Sequence, residues 1–421
     1  MDRGSRYLLA SAGRALSTLN ARRPIAREGF ASLPSFAFGL PPSELPMQHI
    51  GAYGISAGIA LARGIHRTWT GKLGLALTAA AAAGLYRIHQ ESADAERIVE
   101  LALTDELGAD YRSRMAPNPL EPTRTAIPLL PTPRVRSRYV TDGHLAYDDY
   151  GRRTTLDVWK RPDLPADAKA PVLVQVHGGA WITGDKEGQG YPLMAHLVER
   201  GWVCVAVTYR LSPRSGWPDH IVDVKRAIGW VKEHIADHGG DPEWVAITGG
   251  SAGGHLCSLA ALTANDPQFQ PGFEESDTSV RAAVPFYGVY DWTNRDETGR
   301  ADLLQLLEQR VVKDTLANAR DVFEQASSMT HVGPDAVPLM FLHGTNDSLV
   351  PVEQARAMVD MVRKVSSNPA VYVEYPGAQH AFDVFGSNRT QAAVVGIERF
   401  LDVIRGRDQG TDQQVAQDSS T

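Results

Sequence analysis

The hydrophobic pattern changes character near residue 134. Ahead of it lie two apolar runs without polar alternation, Ile50 to Ala62 and Leu73 to Tyr86, separated by Arg63, His66, Arg67 and Lys72. Each is shorter than the roughly 20 residues that a bilayer-spanning helix needs. Two covers suit such runs: the body of the protein, or one leaflet of a membrane with the basic residues at headgroup level. Before them, Tyr7, Leu8, Leu16 and Leu19 share part of one face of a short basic helix, and residues 29–46, with four prolines, read as irregular. Residues 93–115 predict one amphipathic helix with Ile98, Leu101, Ala102 and Leu107 on one side. Pro117, Pro119, Pro122, Pro128, Pro131 and Pro133 then mark an extended linker.

Beyond 134 short branched-apolar runs alternate with helical periodicity. Strands are predicted around Val140, over 154–159, over 171–176 (Pro-Val-Leu-Val-Gln-Val), from Trp202 to Val207, over 244–247, from Arg281 to Phe286, from Leu339 to Leu342 and from Val371 to Glu374. Helices are predicted over 191–200, 219–236 (Ile221, Val224, Ile228 and Val231 on one face), 255–262, 352–365 and 390–405, with a long helical insertion at 292–335. A run as continuously apolar as 171–176 suits a strand buried on both faces. The alternation predicts an α/β fold, a mostly parallel sheet covered by helices on both faces. The polar tail from Gly406 reads as disordered.

Composition adds one asymmetry. Residues 1–72 carry nine Lys/Arg against three acids, +6, which leaves −13 on the remainder of a chain whose net charge is −7. The overall acidity gives no reason to expect a nucleic-acid partner. Two cysteines, Cys204 and Cys257, make neither a disulfide framework nor a metal site and fit a reducing compartment. The first 28 residues lack an apolar core before a small-residue cleavage site, so no secretory signal is expected. The expected location is cytoplasmic, with peripheral membrane contact through the front of the chain left open.

Chemistry gathers after the strand ends. Trp244-Val245-Ala246-Ile247 leads into Gly249-Gly250-Ser251-Ala252-Gly253 and then a helix. A strand entering a helix through so tight a turn strains the serine and exposes its hydroxyl, and Gly249 and Gly253 remove the side chains that would clash. After the strand at 171–176, His177-Gly178-Gly179-Ala180-Trp181 can aim backbone N–H groups at a small oxygen, and Ala252 adds another N–H. Asp347, in a loop after the strand ending at Leu342, is the candidate acid, ahead of Asp383 and Asp291. His380, after the last strand, is the candidate base. Of the other histidines, His66, His89 and His238 read as surface residues, and His177, His255 and His343 as structural. The order Ser251, Asp347, His380 is that of one hydrolase fold among several solutions to the same triad.

With these motifs on the page, residues 134–405 resemble an α/β-hydrolase of the hormone-sensitive-lipase-like carboxylesterase and lipase family. The resemblance rests on His177-Gly178-Gly179-Ala180-Trp181, Gly249-Gly250-Ser251-Ala252-Gly253, Asp347-Ser348-Leu349-Val350-Pro351 and Gly377-Ala378-Gln379-His380. It implies Ser251 as nucleophile, Asp347 as orienting acid, His380 as base, and Gly179, Ala180 and Ala252 as oxyanion donors, with Gly178 shaping the turn. It implies hydrolysis of carboxylic esters, small-molecule or lipid, without metal or cofactor. Ala180 departs from the third glycine of many members, and its methyl narrows the site. The insertion at 292–335 is expected over the site as a cap, with Tyr290 and Trp292 near its mouth and, with Trp181, as candidate substrate contacts. Residues 1–133 lie outside the resemblance to small soluble members. Apolar front segments joined to a His-Gly-Gly-Ala-Trp hydrolase also resemble membrane-bound prenylcysteine methylesterases. Amide or formamide hydrolysis, and a non-catalytic membrane-docked binding protein, are the alternatives.

Overall fold

The computed structural model describes residues 1–123, 127–295 and 297–418, with backbone alone for 411–418. Residues 124–126 of the expected linker, Asp296 of the expected insertion and 419–421 of the tail lie outside the described residues.

Helix α1 (Arg3–Arg22) starts on the Asp2 carboxylate, which accepts the Ser5 N–H at 2.8 Å. Helix α2 (Ser32–Glu44) corrects the expectation of irregular chain over 29–46. Its prolines fall near its ends: Pro34 in the first turn, where an N–H has no intrahelical partner, and Pro41 and Pro42 in the last. The Phe38 carbonyl, which Pro42 cannot satisfy, accepts from Ser17 Oγ of α1 at 3.1 Å. Helix α3 (Pro46–Ala62) opens with proline at its first position. Helix α4 (Trp69–Ala93) packs along α1 through small residues: Gly74 lies against the Tyr7 ring, and Thr78 Oγ1 bonds Ser11 Oγ at 2.9 Å. Helix α5 (Ala95–Leu107) stops at Gly108, whose φ of 88° ends it well before the expected Met115. The linker crosses the body, with the Leu120 N–H on the Arg200 carbonyl at 3.1 Å, and leads into α6 (Pro133–Tyr139).

The rest of the chain is built on one eight-stranded sheet. Its strands are β1 (Val140–Ala146), β2 (Thr155–Trp159), β3 (Ala170–Val176), β4 (Val203–Val207), β5 (Gly240–Gly250), β6 (Ala282–Phe286), β7 (Leu339–Gly344) and β8 (Ala370–Tyr375), in the order β1-β2-β4-β3-β5-β6-β7-β8. Only the β1–β2 and β2–β4 pairings are antiparallel. Helices α7 (Tyr191–Glu199), α8 (Asp219–His234), α9 (Ala252–Leu262), α10 (Ala301–Leu306), α11 (Arg320–Ala326), α12 (Glu353–Val365) and α13 (Asn388–Asp418) complete the unit. Along β3, Val172, Val174 and Val176 enter one hydrophobic core with Ile221, Val224 and Leu256, while Leu173 enters the core across the sheet with Met194 and Ile397. That is why 171–176 carries no polar alternation.

Two further expectations change. The insertion is broken into α10, a π-helical continuation over Leu307–Val312, and α11, because no apolar periodicity spans its length. The tail read as disordered continues α13 to Asp418: Gly406 lies against residues 114–116, too close for any side chain, and Asp408 Oδ2 accepts the Trp244 indole N–H at 3.2 Å.

The front helices are tied to the sheet unit by a buried ion pair. Arg389 Nη1 donates to Glu44 Oε1 at 3.0 Å and to the Ser43 carbonyl at 3.1 Å, and Glu44 Oε2 accepts from Ser387 Oγ at 2.8 Å. Both side chains are essentially fully buried. Arg389→Met, which strands the Glu44 carboxylate, is expected to cost about 3–5 kcal/mol in urea unfolding. Glu44→Met with Arg389→Met should recover most of that loss. An unchanged urea midpoint in Arg389→Met would show the pair contributes nothing to the junction.

Candidate active site

The sheet brings the predicted residues to the carboxyl ends of its parallel strands, where α/β folds place their ligands. Ser251 lies between β5 and α9 with φ 59° and ψ −121°, a conformation that non-glycine residues rarely adopt. The turn closes because its glycines carry nothing: a Cβ on Gly253 would collide with the Val176 carbonyl, and one on Gly249 would lie 2.7 Å from the same oxygen. The Ser251 N–H donates to the Phe286 carbonyl at 3.0 Å, and the Ser251 carbonyl accepts the His255 N–H at 3.0 Å.

The structure brings Asp347 and His380 together. His380 Nδ1 lies 2.7 Å from Asp347 Oδ2. The other oxygen, Oδ1, accepts the Leu349 and Val350 N–H groups, each at 2.8 Å. Burial would raise the Asp347 pKa, but His380 and His343 beside it prevail and hold it well below the usual carboxylate range. His380 Nδ1 therefore carries the proton and donates, which leaves Nε2 as the basic nitrogen. Among the described residues neither His380 Nε2 nor Ser251 Oγ has a protein hydrogen-bond partner; such bonds commonly tighten only when substrate is bound. The Tyr287 ring stands 4.5 Å from the His380 ring, and its hydroxyl lies 2.7 Å from where a Gly250 Cβ would be, so one side chain flanks both His380 and the Ser251 turn.

Opposite the elbow is the turn after β3. Gly178 lies so close that a Cβ on it would meet Ser251 Cβ at 3.2 Å. Its N–H donates to Gln189 Oε1 at 2.7 Å and is thereby unavailable to a substrate oxygen. Gly179 (φ 127°), Ala180 (φ 52°) and Trp181 (φ 60°) turn the chain sharply, and the Gly179 and Ala180 N–H groups have no protein partner among the described residues. Ala252 opens α9, where the first N–H has no intrahelical acceptor. Three backbone donors on the two turns that meet at Ser251 thus have no protein acceptor among the described residues.

The surrounding histidines are structural. Trp181 Nε1 donates to His255 Nδ1 at 3.2 Å, and His255 Nε2 donates to the Ala326 carbonyl at 2.7 Å, tying the turn to the insertion. His177 stacks on Tyr209 at 4.3 Å. Burial lowers the His177 and His255 pKa values to about 4 and that of His220 to about 3. Trp181, Tyr290 and Trp292 are fully buried, so the placement of Tyr290 and Trp292 at the mouth is corrected. Trp292 stacks on His255 at 4.7 Å and meets Trp181 edge-on at 4.9 Å, filling the core beneath the insertion. The weaker acid candidates are engaged elsewhere: Asp291 accepts from Thr293 Oγ1 at 2.6 Å, and Asp383 accepts from the Tyr287 hydroxyl.

Four residues outside the candidate set hold the site; of them the sequence marks only His343, as structural. Gln379 Oε1 accepts from the Ser348 N–H (2.8 Å) and the His380 N–H (2.9 Å), pinning the acid loop to the base loop. His343 Nε2 reaches Asp347 Oδ2 at 3.2 Å and the Val350 carbonyl at 3.1 Å; both are acceptors, so this nitrogen carries the proton. Tyr287 is the third. The fourth is Phe36 of α2, whose ring meets the His380 ring edge-on at 5.9 Å. Gln379 lies inside a quoted motif and His343 directly after the expected strand end at Leu342, whereas nothing local marks Phe36. Among the described residues no cluster of His, Cys, Asp and Glu could hold a metal ion.

The comparisons with known proteins bear on the family, the fold and the activity class. The BD-FAE family model matches residues 156–362. "Probable carboxylic ester hydrolase LipM" of Mycobacterium tuberculosis is 48% identical over 398 residues, covering 94% of this chain and 92% of that one. "Esterase LipQ" of the same organism is 44% identical over 323 residues, covering 75% and 76%. Among solved structures, a thermophilic esterase of Thermogutta terrifontis, Est2, superposes with a TM-score of 0.52 at 26% identity, covering 63% of this chain and 91% of that one. The LipM likeness runs through the front helices as well as the sheet, and the chain belongs to the hormone-sensitive-lipase-like α/β-hydrolase family of carboxylic ester hydrolases.

Proposed function

We propose that this carboxylic ester hydrolase works through an acyl-enzyme on Ser251, with His380 as base and Asp347 as the acid that orients it. The observation that carries the reading is the 2.7 Å contact from His380 Nδ1 to Asp347 Oδ2, beside a serine strained at the strand-to-helix turn. Ser251 Oγ attacks the acyl carbon and passes its proton to His380 Nε2. The oxyanion is held by the N–H groups of Gly179, Ala180 and Ala252. The C–O bond to the alcohol breaks as His380 protonates the leaving oxygen. Water, deprotonated by the same nitrogen, then attacks the acyl carbon, and the acid departs as Ser251 regains its proton. The ionised Asp347 offsets the imidazolium charge that forms in each half-reaction. The basic, apolar front helices support a peripheral lipid contact and an ester met at a lipid surface.

Ser251→Ala, His380→Ala and Asp347→Asn are each expected to lower kcat/KM on a nitrophenyl ester by roughly 10³-fold or more, with unfolding midpoints unchanged within about 1 kcal/mol. A Ser251→Ala/His380→Ala double variant should be little worse than either single one, because the triad acts as a unit. Near-normal turnover in Asp347→Asn would remove the acid from this reading. Matched ester and anilide substrates separate ester from amide hydrolysis, and faster anilide cleavage would favour the amidase alternative.

The oxyanion turn carries its own pH signature. His177, His220 and His255 take up protons less readily folded than unfolded, where histidine titrates near 6.5. Their stabilisation is intact above that value and declines as pH falls toward 4, by about 1.4 kcal/mol per pH unit for each group. Tm should therefore drop steeply between pH 6.5 and 4.5, and a flat Tm over that window would contradict the buried neutral histidines.

A further inference from the structure

Residues 1–101 hold sixteen of the twenty large hydrophobic side chains that are exposed among the described residues. Beyond residue 133 only Tyr150 and Val365 are among them, so the concentration is a property of the front of the chain. Helix α3 shows it most plainly. Pro46, Tyr53 and Ala60, spaced by seven, face inward. The outward side carries Met47, Gly51, Ala52, Ile55, Gly58, Ile59, Leu61 and Ala62, with Gln48 its one hydrogen-bonding side chain, and no residue from Pro46 to Ala62 is charged. At 17 residues α3 is about 25 Å long, and among the described residues no helix is long and apolar enough to cross a membrane.

The chemistry of this face identifies its occupant. A protein partner is held by buried aromatic and arginine anchors and by directed hydrogen bonds, and α3 offers neither. A lipid surface asks only for apolar area bordered by basic and aromatic groups. That border is present: Arg63, His66, Arg67 and Lys72 are all exposed at the α3–α4 turn, and Trp69 between them is 78% exposed. With the +6 balance of residues 1–72, the complementary surface is an anionic bilayer, to which each basic group adds attraction.

Helix α2 links that surface to the chemistry, joining α3 after the single residue Leu45. One side of it presents Phe36 to His380, and a Cβ on Gly39 would stand 3.5 Å from the Gln379 amide. Its other side exposes Leu33 and Phe38, just beyond the exposed Phe30. Both ends are held by the catalytic unit. Arg300 Nη2 donates to Ser32 Oγ at 2.9 Å, while Nη1 of the same guanidinium serves the Ser348 and Leu349 carbonyls beside Asp347. The far end is fixed by Glu44 on Arg389. The helix that walls the base is thus continuous with the apolar face.

We propose that the outer face of α3 and the exposed side of α2 dock on an anionic lipid surface, and that α2 delivers a lipid-borne ester from that surface past Phe36 to Ser251. The proposal rests on ester hydrolysis at Ser251. It makes the substrate class an ester whose apolar chain partitions into the bilayer, and it makes Phe36 a specificity-determining residue.

The test uses the full chain with vesicles of phosphatidylcholine, alone or mixed with phosphatidylglycerol. Wild-type protein should sediment with the mixed vesicles in preference to the neutral ones, and less at high salt. Ile55→Asp/Ile59→Asp should lose that binding by about tenfold or more and lose turnover of a vesicle-embedded nitrophenyl palmitate to match, with nitrophenyl acetate turnover in solution within about twofold of wild type. An unchanged Tm checks that it is folded, and the milder Ile55→Ser should fall between the two. Phe36→Ala should shift the palmitate-to-acetate ratio by about threefold or more while vesicle binding stays as in wild type. No preference for anionic vesicles, or a double variant that binds as wild type does, overturns the docking surface. A stable solution dimer that Ile55→Asp dissociates also overturns it, by assigning the face to a second copy. An unchanged ratio in Phe36→Ala overturns delivery along α2. Loss of acetate turnover and of fluorophosphonate labelling in wild type would instead refute hydrolysis at Ser251, and vesicle sedimentation would still read the docking surface separately.

Discussion

A carboxylate buried as deeply as Asp347 is tolerable only if its charge is fully met. Two backbone N–H groups meet one oxygen, and two imidazoles meet the other. Much of the surrounding structure follows from that requirement. The loop after β7 must curl to aim the Leu349 and Val350 N–H groups inward, and the loop after β8 must bring His380 across, with Gln379 locking the two together. Because the anion is held in place, the His380 imidazole has one proton position and one orientation, with Nε2 left free for chemistry.

The front helices are continuous with this arrangement. Arg27 Nη1 donates to the Thr345 carbonyl at 3.1 Å, and Asn346 Nδ2 donates to the Arg22 carbonyl at 2.9 Å, so α1 and the turn after it grip the loop that carries Asp347. The two covers considered for the apolar front, protein body and lipid, are not exclusive. The inner sides of α1, α2 and α4 pack on one another and on the catalytic unit, while the outer side of α3 has no protein cover among the described residues.

Much of the site was legible in the sequence because its constraints are local. Gly249 and Gly253 are dictated by a turn in which a Cβ has no room, and the strand-ending positions of Asp347 and His380 follow from the alternation of strand and helix. What was not legible depends on contacts distant in sequence. Four prolines over 29–46 argue against a helix until Ser17, twenty-one residues before Phe38, satisfies the carbonyl that Pro42 leaves open. Phe36 becomes a neighbour of His380 only when the front packs on the body. Tyr290 and Trp292 follow β6 toward the site, and only the packing of the insertion reveals that they turn inward. The polar tail from Gly406 reads as disordered, yet Gly406 marks the close passage of residues 114–116.

Hydrolysis through an acyl-enzyme requires a transient ester on Ser251. Rapid-quench mass spectrometry of the wild-type chain mixed with nitrophenyl acetate looks for it. One acetyl group per chain is expected during turnover, confined to the peptide that contains Ser251 and absent from Ser251→Ala. Turnover with no acetylated intermediate, persisting in Ser251→Ala, would contradict it.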